Sequence, residues 1–415
     1  MTRREQGIVA AALAAQAAAV GSTFGSFSLF VLPVSESLGA SRGEVAAGAA
    51  LISLMLGLSG LFVGARFDRG NARRVMLTGA LLQPLCLLLA SRAPGLPALA
   101  LVCMAIGALM PTLGPLASAA VVGKAFQQNR GRALGIVNTG VALGGMAFSL
   151  LASLILARWG WRNTLTCFAI VSASILLPAV LLGIPHPLAP PAAAPPPGPQ
   201  PPAPAPGGEA EAGSHWTPAQ LLRLPAFYAC ALSLGVGAGL ASGWGAHTAA
   251  FFQDRGADLT TAARVVALTQ GLAIPGALLL GQLADRFGAR NLLAGQLLIQ
   301  AAGFALYRSH PPLPAIYAIA ALMGLSTGGM VPVYAQLVVQ RFGTLSLGRV
   351  MGLSNLFLLP LGVGMPPFVG VLHDRFGSYA PAHLLFIGLL ALPVLALLLF
   401  LESGAAPRPA AGSRA

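Results

Sequence analysis

Charge is what this sequence lacks most. Only 8% of its 415 residues are Asp, Glu, Lys or Arg, and only 11 are acidic. Soluble domains carry roughly 25% charged residues. A soluble fold with this composition could not cover its apolar surface, because area grows almost as fast as mass. Cysteine is also scarce. Cys86, Cys103, Cys167 and Cys230 all lie inside apolar runs, where the thiol behaves as a small hydrophobe. That placement argues against both a disulfide framework and a metal site. The sequence has no GxxxxGK[ST] loop, which excludes ATP drive of the usual kind. It has no ligand cluster and no nucleophile–base constellation on a soluble domain, so neither a metal, a cofactor nor an enzymatic reaction is expected. The net charge is +13, but the basic residues are dispersed in short clusters between apolar runs. That dispersal fits membrane topology rather than nucleic acid binding.

What the chain does have is hydrocarbon: 56% of its residues are hydrophobic, in long continuous runs. Lipid requires backbone polar groups to be satisfied internally, and runs of this length select helices over a barrel. A ruler of about 20 residues per crossing gives twelve spans. Six lie near Gly7–Pro33, Val45–Val63, Val75–Ser91, Leu96–Val122, Ala133–Ala157 and Leu165–Ile184. Six more lie near Phe227–Phe252, Ala262–Leu283, Leu292–Tyr307, Pro314–Val339, Val350–Leu372 and Ala382–Leu401. The third and ninth are short. The run behind Arg3-Arg4 is too long for a signal peptide and is expected to stay as the first span. Between the sixes, Pro185 to Pro206 holds twelve prolines and is followed by Gly-Gly-Glu-Ala-Glu, the composition of a tether. The expected organisation is therefore a bundle over 1–184, a linker over 185–217, a bundle over 218–402 and a tail over 403–415. Placing both termini and the linker on one side collects 16 of the 24 Lys and Arg residues there. The positive-inside rule makes that side the cytoplasm, in an inner membrane crossed many times.

A repeat runs through the chain. Gly64-x-x-x-Asp68-Arg69 recurs as Gly281-x-x-x-Asp285-Arg286, a shift of 217. The same shift maps Gly131-Arg132-x-x-Gly135 onto Gly348-Arg349-x-x-Gly352. It maps Asn138 onto Asn355, Gly107 onto Gly324, Pro115 onto Pro332, Gly39 onto Gly256 and Gly160 onto Gly377. These coincidences predict an all-α polytopic protein of two pseudo-symmetric six-helix bundles. Parallel repeats of this kind are a carrier architecture, with the solute site near the midplane between them.

At these residues the chain resembles the major facilitator superfamily. Gly281-Gln-Leu-Ala-Asp285-Arg286-Phe-Gly288-Ala-Arg290 matches that family's signature loop between helices 2 and 3, here between 8 and 9. The first copy departs, with Gly70 one position early and Asn71 where glycine is usual. Within the superfamily the chain looks most like the monocarboxylate/oxalate-type branch. The likeness lies in Arg130-Gly131-Arg132-Ala133-Leu134-Gly135-Ile136, Gly160-Trp161-Arg162 and Gly370-x-x-x-Asp374-Arg375-Phe376-Gly377-Ser378-Tyr379. The resemblance implies a secondary transporter of alternating access for a small organic anion, with a coupling proton or a counter-anion. A monomer is compatible with it. Helix 8 has no acidic residue and helix 11 no lysine, where some members place ionisable groups. A second reading is efflux of an amphipathic or drug-like compound. It is disfavoured by Val102 and Gly144-Gly145, which stand where drug–proton antiporters place Arg and Gly-Pro. A third, weaker reading is a non-transporting sensor on the same scaffold.

Two sets of residues carry the expected mechanism. Asp68, Arg69, Arg73, Arg132, Asp285, Arg286, Arg290 and Arg349 flank helix ends on the arginine-rich side. Acids near helix N-termini are favoured by the macrodipole, so these groups are candidates for gating ion pairs, against a plain topological role. Phe24, Phe27, Asn138, Trp244, His247, Gln270, Tyr334 and Asn355 are the candidates for the solute wall, on helices that line the cavity by family analogy. Almost all charged groups fall at helix ends, and His247, well inside a span, is the main exception, which marks it as functional unless it is bonded to a neighbour. The Asn pair is either helix–helix glue or solute recognition.

Overall fold

The computed structural model of the chain describes residues 1–69, 72–126, 130–185, 216–343 and 346–401. The linker expectation, the Gly70-Asn71 departure, and the tail lie mostly or wholly outside them. The first half comprises α1 (Arg3–Val20), α2 (Ser28–Leu38), α3 (Arg42–Asp68), α4 (Ala72–Ser91), α5 (Leu96–Leu109), α6 (Pro115–Ala125) and α7 (Arg130–Gly183). A short α8 (Pro218–Leu221) leads into the second half. That half comprises α9 (Pro225–Asp254), α10 (Leu259–Phe287), α11 (Ala289–Arg308), α12 (Leu313–Phe342), α13 (Leu347–Phe376) and α14 (Ala380–Phe400).

Among the described residues, ten helical segments are long and apolar enough to cross a bilayer. One of them, α7, has 54 residues and is broken at Gly160, whose backbone lies at φ 71° and ψ 173°, so it crosses twice. The polar α11 has 20 residues, about 30 Å of helix, and packs against α12 and α14. Together these make twelve crossings in two bundles of six, in a multi-pass membrane protein.

Two spans that read as continuous in the sequence are interrupted. The first breaks into α1, a π-helical turn over Gly21–Gly25, and α2. The reason is contact with α7: a Cβ on Gly21 would lie 2.4 Å from the Gly144 carbonyl oxygen, and one on Gly25 would lie 2.4 Å from the Gly145 Cα. Ser22, Thr23 and Ser26 turn their hydroxyls back onto the carbonyls of α1 and its π turn. The fourth span breaks at Met110–Thr112, between α5 and α6, where Pro111 and Pro115 withdraw backbone donors.

The 217-residue repeat is visible atom by atom. Gly39 and Gly256, and Gly160 and Gly377, all have positive φ. Ser41 caps α3 through the Glu44 amide, and Asp258 caps α10 through the Thr261 amide. Gly107 lies against the Ile52 carbonyl and Gly324 against the Thr269 carbonyl, where an added Cβ would be 2.4 and 2.2 Å from the oxygen. Arg73 donates to the Leu181 carbonyl at 2.7 Å, and Arg290 donates to the Leu398 carbonyl at 2.9 Å. Replacing Gly107 or Gly324 by Val should push α3 from α5, or α10 from α12. Overpacking of this kind costs about 1–3 kcal/mol and should lower the melting midpoint of the purified carrier by a few degrees. The same change at Gly64, which has open space around it, should leave the midpoint unmoved.

Candidate functional site

The halves meet along α3–α13, α2–α9 and α7–α10. At one end this seam is ionic. Arg42, the first residue of α3, forms a bidentate pair with Asp254 at the end of α9, at 2.6 and 2.7 Å. It also donates to the Tyr379 hydroxyl at 3.2 Å. Asp374 accepts the Arg42 and Gly43 backbone amides at 3.2 and 2.8 Å, so a carboxylate of one half caps a helix of the other. The free N–H groups and dipole at a helix start favour this anion. Close approach needs two glycines, since a Cβ on Gly370 would fall 2.4 Å from the Gly43 Cα. His373 lies between the two carboxylates, with Nε2 3.2 Å from Asp254 and Nδ1 3.7 Å from Asp374. Burial pushes the Tyr379 hydroxyl up to about 12, so it serves this cluster as a neutral group. Asp374 belongs to the Gly370-x-x-x-Asp374-Arg375 stretch, a third copy of the repeated motif. Arg42, Asp254 and His373 were not singled out from the sequence. Their only signal is that each sits at a helix end beside a turn.

Inside this closed end, between the halves, lies a cavity of about 390 Å³. Of the sequence-predicted wall, Phe24, Phe27, Trp244 and Gln270 line it, joined by Gln300, Phe304 and Tyr307. Thr248, Thr269 and Thr327 add hydroxyls, and among the described residues no ionised side chain lines it. Trp244 stacks on Tyr307 with ring centroids 5.7 Å apart at 27°. Gln300 is buried, and its side-chain nitrogen has no partner among the described residues. A second cavity of about 390 Å³, almost wholly apolar, lies within the first half, and Phe27 lines both.

Four predicted wall residues stand elsewhere. His247 is buried, accepting from the Tyr379 hydroxyl through Nδ1 at 3.1 Å and donating from Nε2 to the Pro366 carbonyl at 2.8 Å. Both ring nitrogens therefore tie α9 to its own half. Tyr334 donates to Ser354 at 2.6 Å, joining α12 to α13. Asn138 accepts from the buried Gln16 at 3.5 Å, and Asn355 stands exposed on α13.

The predicted gating residues all lie at the opposite end. Arg73 and Arg290 hold the last-turn carbonyls of α7 and α14 within their own halves. Asp285 accepts from Gln336, also within its half. Arg349 donates to the Trp216 carbonyl at 3.0 Å. Arg69, Arg132 and Arg286 are exposed, and the Asp68 side chain lies outside the described residues.

The lock makes a prediction. Gly370→Val should hold α13 off α3, and Asp374→Ala should leave the Arg42 and Gly43 amides without their acceptor. Both should raise labelling of a cysteine placed at Tyr379 by a membrane-impermeant thiol reagent. Unchanged labelling in both would show that these contacts do not seal the end.

Comparison with known proteins gives the same architecture. The family model of the Major Facilitator Superfamily matches residues 12–362. The uncharacterized MFS-type transporter YcxA of Bacillus subtilis is 24% identical over 398 residues, covering 91% of each chain. Monocarboxylate transporter 13 of Rattus norvegicus is 26% identical over 317 residues, covering 74% of this chain and 68% of its own. Among solved structures, a bacterial homologue of the human lysosomal transporter Spinster, inward-facing and occupied, superimposes with a TM-score of 0.75. It does so at 15% identity, covering 96% of this chain and 97% of the other.

Proposed function

The chain belongs to the Major Facilitator Superfamily, whose fold is that of membrane solute transporters, and on that footing we propose that it carries a small organic acid across the inner membrane by alternating access. The observation that carries this reading is the cavity shared by the two halves, with aromatic walls, amide and hydroxyl groups, and no ionised side chain. Phe24, Phe27 and Trp244 would pack the solute's apolar body, and Gln270 and Gln300 would meet its polar head. The distant likeness to a monocarboxylate transporter supports the same substrate class. The positive-inside bias supports cytoplasmic termini, and with that orientation the Arg42 lock would close the outer end. A second reading, export of an amphipathic compound, draws on the apolar cavity behind Phe27.

The existing lock suggests its counterpart. Asp374 closes one end by capping the start of α3. Asp68 and Asp285 end the same motif at the opposite end of the helices, where Arg132 and Arg349 stand in the first turns of α7 and α13. We infer that they cap those helices when the cytoplasmic end closes, with Arg69 and Arg286 in the latch. Asp285 would then exchange Gln336 for the start of α7. A transporter needs such differential contacts in its two states.

Proteoliposomes should take up labelled propanoate or benzoate, and Gln270→Leu should raise KM by about tenfold, the loss of one good hydrogen bond to a charged or strongly polar group. Protection of cells from amphipathic toxins without uptake of any acid would favour export instead. Asp285→Asn should slow uptake while leaving the yield of folded protein unchanged, and normal uptake by that variant would remove the latch.

A further inference from the structure

We propose that His383, together with Gln300, forms a recessed subsite of the solute cavity that receives the solute's carboxyl group in its undissociated form. The inference rests on the organic-acid reading above and adds the residues and the protonation state.

His383 lies in the first turn of α14 and is 1% exposed, yet among the described residues neither ring nitrogen has a hydrogen-bond partner. Buried polar groups are nearly always paired, and an unpaired one is costly to keep. A histidine that serves only to join helices looks like His247, with both nitrogens engaged. The His383 ring instead rests against aromatic rings. Its centroid is 5.1 Å from Trp244, 4.9 Å from Phe251 and 5.6 Å from Phe304. Trp244 and Phe304 are cavity wall, so one layer of side chain separates the imidazole from the solute space.

Gln300 lies one turn before Phe304 on α11, on the same helix face. The repeat makes its free nitrogen informative. Its counterpart 217 residues earlier, Gln83, donates that nitrogen to the Ala19 carbonyl at 2.8 Å. Gln83 keeps only its oxygen unpaired, whereas among the described residues Gln300 has no acceptor for its nitrogen, and Gln300 lines the cavity.

The ring has no carboxylate to pair with among the described residues, and the cations near it are Arg255 and Arg308. An unpaired buried imidazolium would be costly, so the ring stands as neutral imidazole with one donor and one acceptor nitrogen. A carboxylate offers only acceptors, and no cation on the cavity wall is there to receive it. An undissociated carboxyl group offers an O–H to the imidazole acceptor and a carbonyl oxygen to the Gln300 N–H. A primary carboxamide has the same pattern and never ionises. Entry requires the Trp244 indole to move aside from its stack on Tyr307.

The test uses the full-length carrier in proteoliposomes, with labelled benzoate as solute and benzamide as the uncharged competitor. In the wild type benzamide should compete, with an inhibition constant that does not change between pH 5.5 and 7.5. His383→Phe keeps the ring volume and removes both nitrogens. It should raise KM for benzoate and the benzamide inhibition constant together by about tenfold, while the maximal rate stays within about threefold. The melting midpoint of the empty variant should not fall, since unpaired groups are removed rather than paired ones. An unchanged KM in His383→Phe, or a failure of benzamide to compete, overturns the subsite while leaving the transport reading intact. If that variant does not fold, His383→Asn and Gln300→Leu decide the matter, and unchanged KM in both overturns it. A wild type that carries no acid at any pH sinks the organic-acid reading and this inference with it.

Discussion

The Asp374 carboxylate resting on the free amides at the start of α3 is the contact from which the rest of the arrangement follows. Charge cannot be left unpaired in hydrocarbon, so ionic contacts between the halves are confined to helix ends. A helix start offers unsatisfied N–H groups and a partial positive charge, and a carboxylate on the facing helix satisfies both. Gly43 and Gly370 let the backbones come close enough for this to happen. Arg42, Asp254, His373 and Tyr379 then gather around the same point. With that end held shut, the space between the halves becomes a pocket with a floor, and its walls are free to be aromatic and uncharged.

The two halves share a skeleton and differ in what they use it for. Helix caps, left-handed glycines and the arginine clamps of Arg73 and Arg290 recur at a constant shift, because they satisfy backbone geometry that both copies possess. Phe27 and Trp244 also correspond by that shift, and both line the cavity. The polar groups do not correspond in role. Gln83 spends its N–H on the Ala19 carbonyl within the first half, whereas Gln300 lines the cavity with its nitrogen unpaired among the described residues. His383 stands where the first half has Thr166, whose hydroxyl donates to its own helix at Arg162. The site is therefore built by exchanging side chains on a duplicated frame.

Much of the frame was legible because hydrocarbon allows few solutions. Long apolar runs have to be helices, and repeated Gly, Pro and Asp-Arg positions mark ends and crossings whatever the side chains between them do. The interrupted first and fourth spans were harder to read. A π-helical turn at Gly21–Gly25 leaves no periodic signal, and its cause is the backbone of α7 more than a hundred residues away. Half of the expected solute wall, Phe24, Phe27, Trp244 and Gln270, faces the cavity. His247 and Tyr334 were equally plausible by residue type, but a partner on a neighbouring helix occupies each of them.

By itself the sequence determined the twelve crossings, the duplication, the side on which arginine collects, and the motif whose carboxylate ends a helix. These follow from composition and spacing, which act locally or through the bilayer. Which end is shut, which amide is left unpaired, and which histidine stands behind the cavity wall rather than between helices were decided only by tertiary structure. Pairing depends on which helix face meets which, and residue 42 meets residues 254 and 374 only once the two bundles have docked.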